Sequence, residues 1–129
     1  MAMAWTGRAV TVLGDGAWGT TLALHLHRLG HRVTLWGAFP NYVRILDRTR
    51  RNTRFLPGVP IPRALRLTAD LAEAIRPAQI VVLAVPAQHV RSVLRRLRGE
   101  PVAGKGFLSV AKGLEIGSLK RMSEVVTEE

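Results

Sequence analysis

Three glycines, Gly14, Gly16 and Gly19, stand at the spacing G-x-G-x-x-G between a β-branched apolar run (residues 9–13) and a helix-forming segment (residues 20–29). In that setting each glycine has a chemical use. Gly14 permits a tight turn, Gly16 lets a pyrophosphate approach bare backbone, and Gly19 lets the helix pack closely on the strand. The N–H groups and dipole at the helix start then face the phosphates. An ordinary strand-to-helix turn does not call for three glycines, so the spacing points to a dinucleotide. A second chemical group is Lys112, a cation directly after an apolar run at residues 107–111. The four histidines (His25, His27, His31 and His89) show no metal-ligand spacing, and His25 and His27, two apart on a helix, cannot face one ligand together. With no cysteine in the chain, disulfides, thiolate metal sites and thiol chemistry are excluded.

These residues need elements to position them, and hydrophobic periodicity alternates strand-like and helix-like segments along the chain. A strand at 8–13 leads to a helix at 17–29, with Leu22, Leu26 and Leu29 on one face and Gly30 at its C-terminal cap. A second strand is expected at 31–36, a helix at 40–50 opened by Pro40, and a loop at 52–62 carrying Pro57, Pro60 and Pro62. Then come a short strand at 65–68, a short helix at 70–76 and a strand at 79–85. That last run is continuously apolar, as strands inside parallel sheets are. A helix at 87–97, a strand at 107–111 and a helix at 118–126 complete the series. Such alternation predicts an α/β single domain with a doubly wound parallel sheet and right-handed crossovers. Ligands in such a sheet lie at the carboxyl ends of the strands. That singles out residues 14–19, 37–40, 86–89 and 112–115.

Composition narrows the class. At 129 residues the chain is one domain's length, and its 47% hydrophobic content argues against disorder. Met1 to Gly7 has neither the basic start nor the long apolar core of a signal peptide. The longest apolar run, residues 80–87, is too short to span a bilayer. A cytoplasmic protein with no membrane partner is the expectation. The net charge of +10 raises the question of nucleic acid. Yet the basic residues are spread, with clusters only at 44–54 and 91–98. Arg91, Arg95 and Arg98 recur at helical spacing, as on a solvated face, and aromatics are only 5% of the chain. Nucleic acid is therefore not the expected partner.

Four blocks carry a family resemblance: Gly14-Asp-Gly-Ala-Trp-Gly-Thr20, Asn52-Thr-Arg-Phe-Leu-Pro-Gly58, Ala84-Val-Pro-Ala-Gln88 and Ser109-Val-Ala-Lys-Gly-Leu-Glu115. In this order they resemble the bacterial-type NAD(P)-dependent glycerol-3-phosphate dehydrogenases, and residues 119–124 are similar to that family's next helix. The Trp18 form of the glycine loop and the Lys-Gly-Leu-Glu block are far more specific than the glycines alone. The resemblance implies a Rossmann-type domain, NADPH or NADH as cofactor, and dihydroxyacetone phosphate as small-molecule substrate. The reaction implied is hydride transfer giving sn-glycerol 3-phosphate for phospholipid synthesis. Members of the family run to well over twice this length, and a second, helical domain supplies their principal catalytic lysine. Residues 1–129 are thus expected to be the NAD(P)-binding domain, incomplete at its C-terminal end, without the helical C-terminal domain and inactive alone. A homo-oligomer is an option for the full-length enzyme.

The resemblance also assigns roles by position. Cofactor binding falls to Gly14, Gly16, Ala17, Trp18, Gly19, Ala38, Phe55, Pro86 and Lys112. Lys112 is the catalytic candidate of this segment, polarising the substrate carbonyl as negative charge develops on oxygen. Three positions depart from the family pattern: Ala17 stands where serine is frequent, Phe55 where tyrosine is usual, and Ala38 where an arginine commonly sits. Trp18 and Phe55 have packing roles as alternatives, and Glu115 reads as a loop cap or the partner of a nearby base. His89, after a strand end, reads as a surface or cap residue, with cofactor contact as the other option. NAD-specific folds place an acid at the end of the second strand. Residues 36–39 hold none, and Arg44 or Arg48 could reach a 2′-phosphate, so the sequence leans toward NADPH. Two rivals stand beside this reading. One is another two-domain dehydrogenase, of the ketopantoate reductase or sugar-nucleotide dehydrogenase type. The other is a basic, non-catalytic nucleotide- or nucleic-acid-binding module.

Overall fold

A computed structural model describes residues 7–129; the N-terminal stretch read against a signal peptide lies, up to Thr6, outside the described residues. In chain order the elements are β1 (Ala9–Leu13), α1 (Ala17–Arg28), β2 (Arg32–Trp36), α2 (Pro40–Thr49), β3 (Arg51–Asn52), β4 (Leu56–Pro60), β5 (Arg66–Thr68), α3 (Leu71–Ile75), β6 (Ile80–Leu83), α4 (Ala87–Arg96), β7 (Gly106–Ser109) and α5 (Met122–Glu128). Five strands form one sheet in the order β5-β2-β1-β6-β7, all parallel. The α/β doubly wound sheet expected from the alternation is therefore present. Because the strands run one way, the segments after β1, β2, β6 and β7 share one rim.

Side-chain alternation along the strands divides the interior into two cores. Val10, Val12, Val33, Leu35 and Val82 pack on one face with Ala23 of α1 and with Ile61 and Leu65. Leu13, Trp36, Val81 and Leu83 pack on the other with residues of α3, α4 and α5, among them Ile75, Val90 and Val125. Thr11 points to this second face, and its buried hydroxyl donates to the Ala74 carbonyl at 2.6 Å. Such pairing removes the cost of an unsatisfied buried hydroxyl.

Three local expectations are revised. Residues 52–62, read as a loop, contain an antiparallel ribbon, with Arg51 opposite Pro60 and Asn52 opposite Leu56. Prolines argue against strands because they cannot donate to a ladder, yet a two-stranded ribbon leaves every strand an outer side where no donor is needed. The last helix begins at Met122, not at 118, because Gly117 (φ +97°) and Leu119 (φ +58°) turn the chain left-handed just before it. Leu22 and Leu26 of α1 pack partly buried against the core as expected, but Leu29 is exposed at the C-cap, and the fully buried residues of the helix are Gly19, Thr20 and Ala23. Small residues bring the helix axis close to the sheet.

Candidate functional site

The three glycines of the first loop do different work. Gly14 (φ +126°) is in a conformation that side chains disfavour, and a Cβ there would lie 2.7 Å from the Ala84 carbonyl carbon and 2.9 Å from the Val85 nitrogen. A Cβ on Gly19 would land on the Gly14 carbonyl oxygen. These two glycines let β1, α1 and the end of β6 converge. At Gly16 an added Cβ would meet nothing within 4 Å. Gly16 is also the N-cap of α1 and offers no side-chain cap to the first-turn N–H groups. An uncapped helix start beside open backbone can receive an anion.

A buried polar network holds that loop. Asn52, only 1% exposed, donates through Nδ2 to the Asp15 carbonyl at 2.9 Å and to the Thr20 hydroxyl at 2.8 Å. Its Oδ1 accepts a hydrogen bond from the Tyr42 hydroxyl. The Tyr42 ring meets Phe55 edge-on at 5.8 Å, and the Arg54 guanidinium lies 5.1 Å from the Phe55 centroid. Thus α2 and the β3–β4 ribbon are tied to the glycine loop. Asn52 and Tyr42 escaped the sequence reading. Asn52 heads one of the four blocks, but a lone asparagine beside prolines looks like a turn residue.

Asp15, the residue between the first two glycines, was also not singled out. Its Oδ2 is buried without a hydrogen-bond partner, and burial pushes its carboxyl above the usual range. Burial, and after it the Asp15 charge, raises the Tyr42 hydroxyl as well.

Lys112 lies exposed just past β7 at the shared rim, on a loop clamped by α4. Gln88 donates to the Leu114 carbonyl at 2.9 Å and accepts from the Ile116 N–H at 2.8 Å. Arg91 donates to both oxygens of Glu115 at 2.7 and 3.0 Å, and the Ser118 hydroxyl donates to the same carboxylate at 2.6 Å. These bonds, Arg91 first, hold the Glu115 carboxyl down to about 2. Glu115 is therefore the partner of a base, one of its two sequence readings. Arg91 departs from expectation. Arg95 and Arg98 are on an exposed face, but the Arg91 side chain is 17% exposed and also pairs with Glu128 and Glu129. A solvated stripe and a clamp share one helical spacing.

The other candidates sit along the same rim. Ala17, Ala38 and Pro86 are exposed, and so are Phe55 and Trp18, the latter at 55%. Trp18 is thus more than half uncovered among the described residues. His89 is exposed, while His31 accepts at Nδ1 from the Arg8 N–H at 3.3 Å. Arg44 is engaged with the Asn41 side chain. Among the described residues no three His, Cys, Asp or Glu are grouped to hold a metal, and no helix is long and apolar enough to cross a membrane. A dinucleotide fits this rim on two observations: the open backbone at Gly16 and the unused acceptor on Asp15.

Known proteins give the same picture. A family model described as the NAD-dependent glycerol-3-phosphate dehydrogenase N-terminus matches residues 9–129. The glycerol-3-phosphate dehydrogenase (NAD(P)+) of Prosthecochloris aestuarii is 46% identical over 119 residues, 92% of this chain and 36% of its own. That of Geobacillus thermodenitrificans is 47% identical over 120 residues, 93% and 35% respectively. The crystal structure of glycerol-3-phosphate dehydrogenase from Coxiella burnetii superposes with a TM-score of 0.89 at 31% identity, covering 97% of this chain and 38% of that one. The chain spans about a third of the length of the curated relatives it matches. With the glycine loop, the ribbon and the Lys112 loop all inside the matched segment, the chain belongs to the NAD-dependent glycerol-3-phosphate dehydrogenase N-terminus family.

Proposed function

We propose that residues 1–129 are the NAD(P)-binding domain of a cytoplasmic enzyme that passes hydride between NAD(P)H and dihydroxyacetone phosphate, giving sn-glycerol 3-phosphate for phospholipid precursors. The observation that carries this reading is the open backbone at Gly16 beside the uncapped start of α1. Gly14 and Gly19 shape the loop, and the N–H groups of the first turn bind the pyrophosphate. Ala17 and Trp18 line the pyrophosphate and nicotinamide side of the groove, Pro86 and Phe55 lie next to the cofactor, and Ala38 lies toward the adenosine ribose. When bound, the nicotinamide supplies the hydride. Lys112 directs its ammonium at the substrate carbonyl and stabilises the negative charge that grows on oxygen. The remaining two thirds of the relatives' length carries the rest of the substrate site and the proton donor.

A substitution that folds but fills the groove tests this. Gly16 has φ −72° and ψ −172°, a backbone any residue adopts, and free space around it. Gly16→Leu is expected to keep the circular dichroism and melting temperature of the parent while abolishing saturable calorimetric binding of NADH and NADPH. Undiminished binding in this variant, or no binding of either cofactor by the folded parent, overturns the reading.

A further inference from the structure

Residues 36–39, at the end of β2, contain no acid, although an adenosine ribose is ordinarily held there by Asp or Glu. The structure brings a carboxyl to that place from a different element. Gly37 is buried at the end of β2, and a Cβ built on it would fall on the Asp15 carboxylate, 2.7 Å from Cγ, and 2.7 Å from Val43 Cγ2. The Asp15 carboxyl thus occupies the volume that a β2 side chain would otherwise take.

That carboxyl has acceptor capacity the protein leaves unused. Asp15 Oδ2 is buried with no partner, and Asp15 forms no ion pair among the described residues. Three arginines of residues 44–54 are directed elsewhere. Arg50 pairs with Asp47, Arg44 bonds Asn41, and Arg54 lies over Phe55. Asp15 as a residue is half-buried, and rotation about χ2 exchanges its two oxygens. An acceptor without a donor, inside the phosphate loop and beside the end of β2, is one that ribose hydroxyls can complete.

We infer that Asp15 is the ribose-binding acid of this domain and that it sets a preference for NADH over NADPH. This rests on the dinucleotide reading above and reverses the lean toward NADPH that the missing acid at 36–39 gives. In NADPH the hydroxyl donor is replaced by a phosphate, which brings like charge against the carboxylate, and such juxtaposition selects against the wrong partner. The opposite outcome, in which Arg44 or Arg48 holds a 2′-phosphate, is equally measurable.

The test is a calorimetric titration of the chain, at fixed moderate salt, with NADH and with NADPH, repeated on Asp15→Asn. The parent is expected to bind NADH at least about tenfold tighter than NADPH, a ratio worth 1.4 kcal/mol. In Asp15→Asn, which keeps the shape and removes the charge, the ratio is expected to fall to about threefold or less, mainly through tighter NADPH binding. Where circular dichroism shows Asp15→Asn unfolded, Asp15→Ala gives the same comparison. Equal or tighter binding of NADPH by the parent, or an unchanged ratio in the folded variants, overturns the inference and leaves the dinucleotide reading intact. Binding of neither cofactor to the folded parent overturns both.

Discussion

Gly19 and Asn52 show two ways in which a single residue holds the phosphate loop. At Gly19 the constraint is steric, since any Cβ strikes the backbone carbonyl of Gly14, which cannot swing aside as a side chain could. Gly19→Ala is expected to cost about 3 kcal/mol in urea unfolding, at the upper end of ordinary overpacking. At Asn52 the constraint is polar satisfaction. Asn52→Ala leaves the Asp15 carbonyl and the Thr20 hydroxyl only their mutual bond at 3.3 Å and takes the acceptor from the Tyr42 hydroxyl, for an expected loss of about 2 kcal/mol, whereas Tyr42→Phe removes only an outer member and costs about 1. Combined, the two changes should fall short of additive, because they act on one network. The glycine spacing was readable because its three positions are close in sequence and act on one turn. Asn52 was not, because its partners Thr20 and Asp15 lie 32 and 37 positions away.

Among the elements, α4 and the loop that follows β7 form one unit joined by side chains. Gln88 fixes the loop backbone and Arg91 fixes Glu115, so the exposed Lys112 is presented from a held platform. The ion pair titrates predictably. A carboxyl held at about 2 in the fold, against an ordinary 4.5, contributes its stabilisation at and above the ordinary value and loses it as pH falls through about 2. The Glu115 side-chain resonance is therefore expected to titrate near 2 by NMR, and Arg91→Met to move that midpoint up toward 4.5. A midpoint near 4.5 in the parent would show that the clamp does not form in solution. The parallel strands and their helices were legible because apolar periodicity reports on which face is buried. The β3–β4 ribbon was hidden, since Pro57 and Pro60 suppress the strand signal and only the Asn52 network reveals why the segment is held. The clamp was half visible: the spacing of Arg91, Arg95 and Arg98 marks a helix face, but only the position of Glu115 in space separates the arginine that holds the loop from the two exposed ones.

At the scale of the molecule, one sheet serves two cores, so neither face can melt alone. Val81 and Val82 are adjacent on β6 and point to opposite cores. Val81→Ala and Val82→Ala are each expected to cost about 2 kcal/mol from lost methyl burial and the cavity left behind. Each should move one shared thermal transition, by roughly 3 °C per kcal/mol at this size. Two separate transitions in either variant would show that the faces unfold independently. The fold class followed from alternation because a parallel sheet needs a crossover between every pair of strands. The charge of +10 was a poorer guide, since a net sum does not show which cations are paired: Arg91, Arg95 and Arg98 meet Glu115, Glu128 and Glu129.

The shared volume at Gly37 and Asp15 also constrains how such sequences diverge. Two sites far apart in the chain compete for one space, so only one can carry a large side chain at a time. An acid introduced at 37 collides with the one at 15, and removing the acid at 15 first leaves neither. Lineages that move the carboxyl from the loop to the strand must therefore cross an intermediate that is either crowded or uncharged. Positions 15 and 37 are expected to change as a pair across descendants of this chain, with bulk at one accompanied by a small residue at the other.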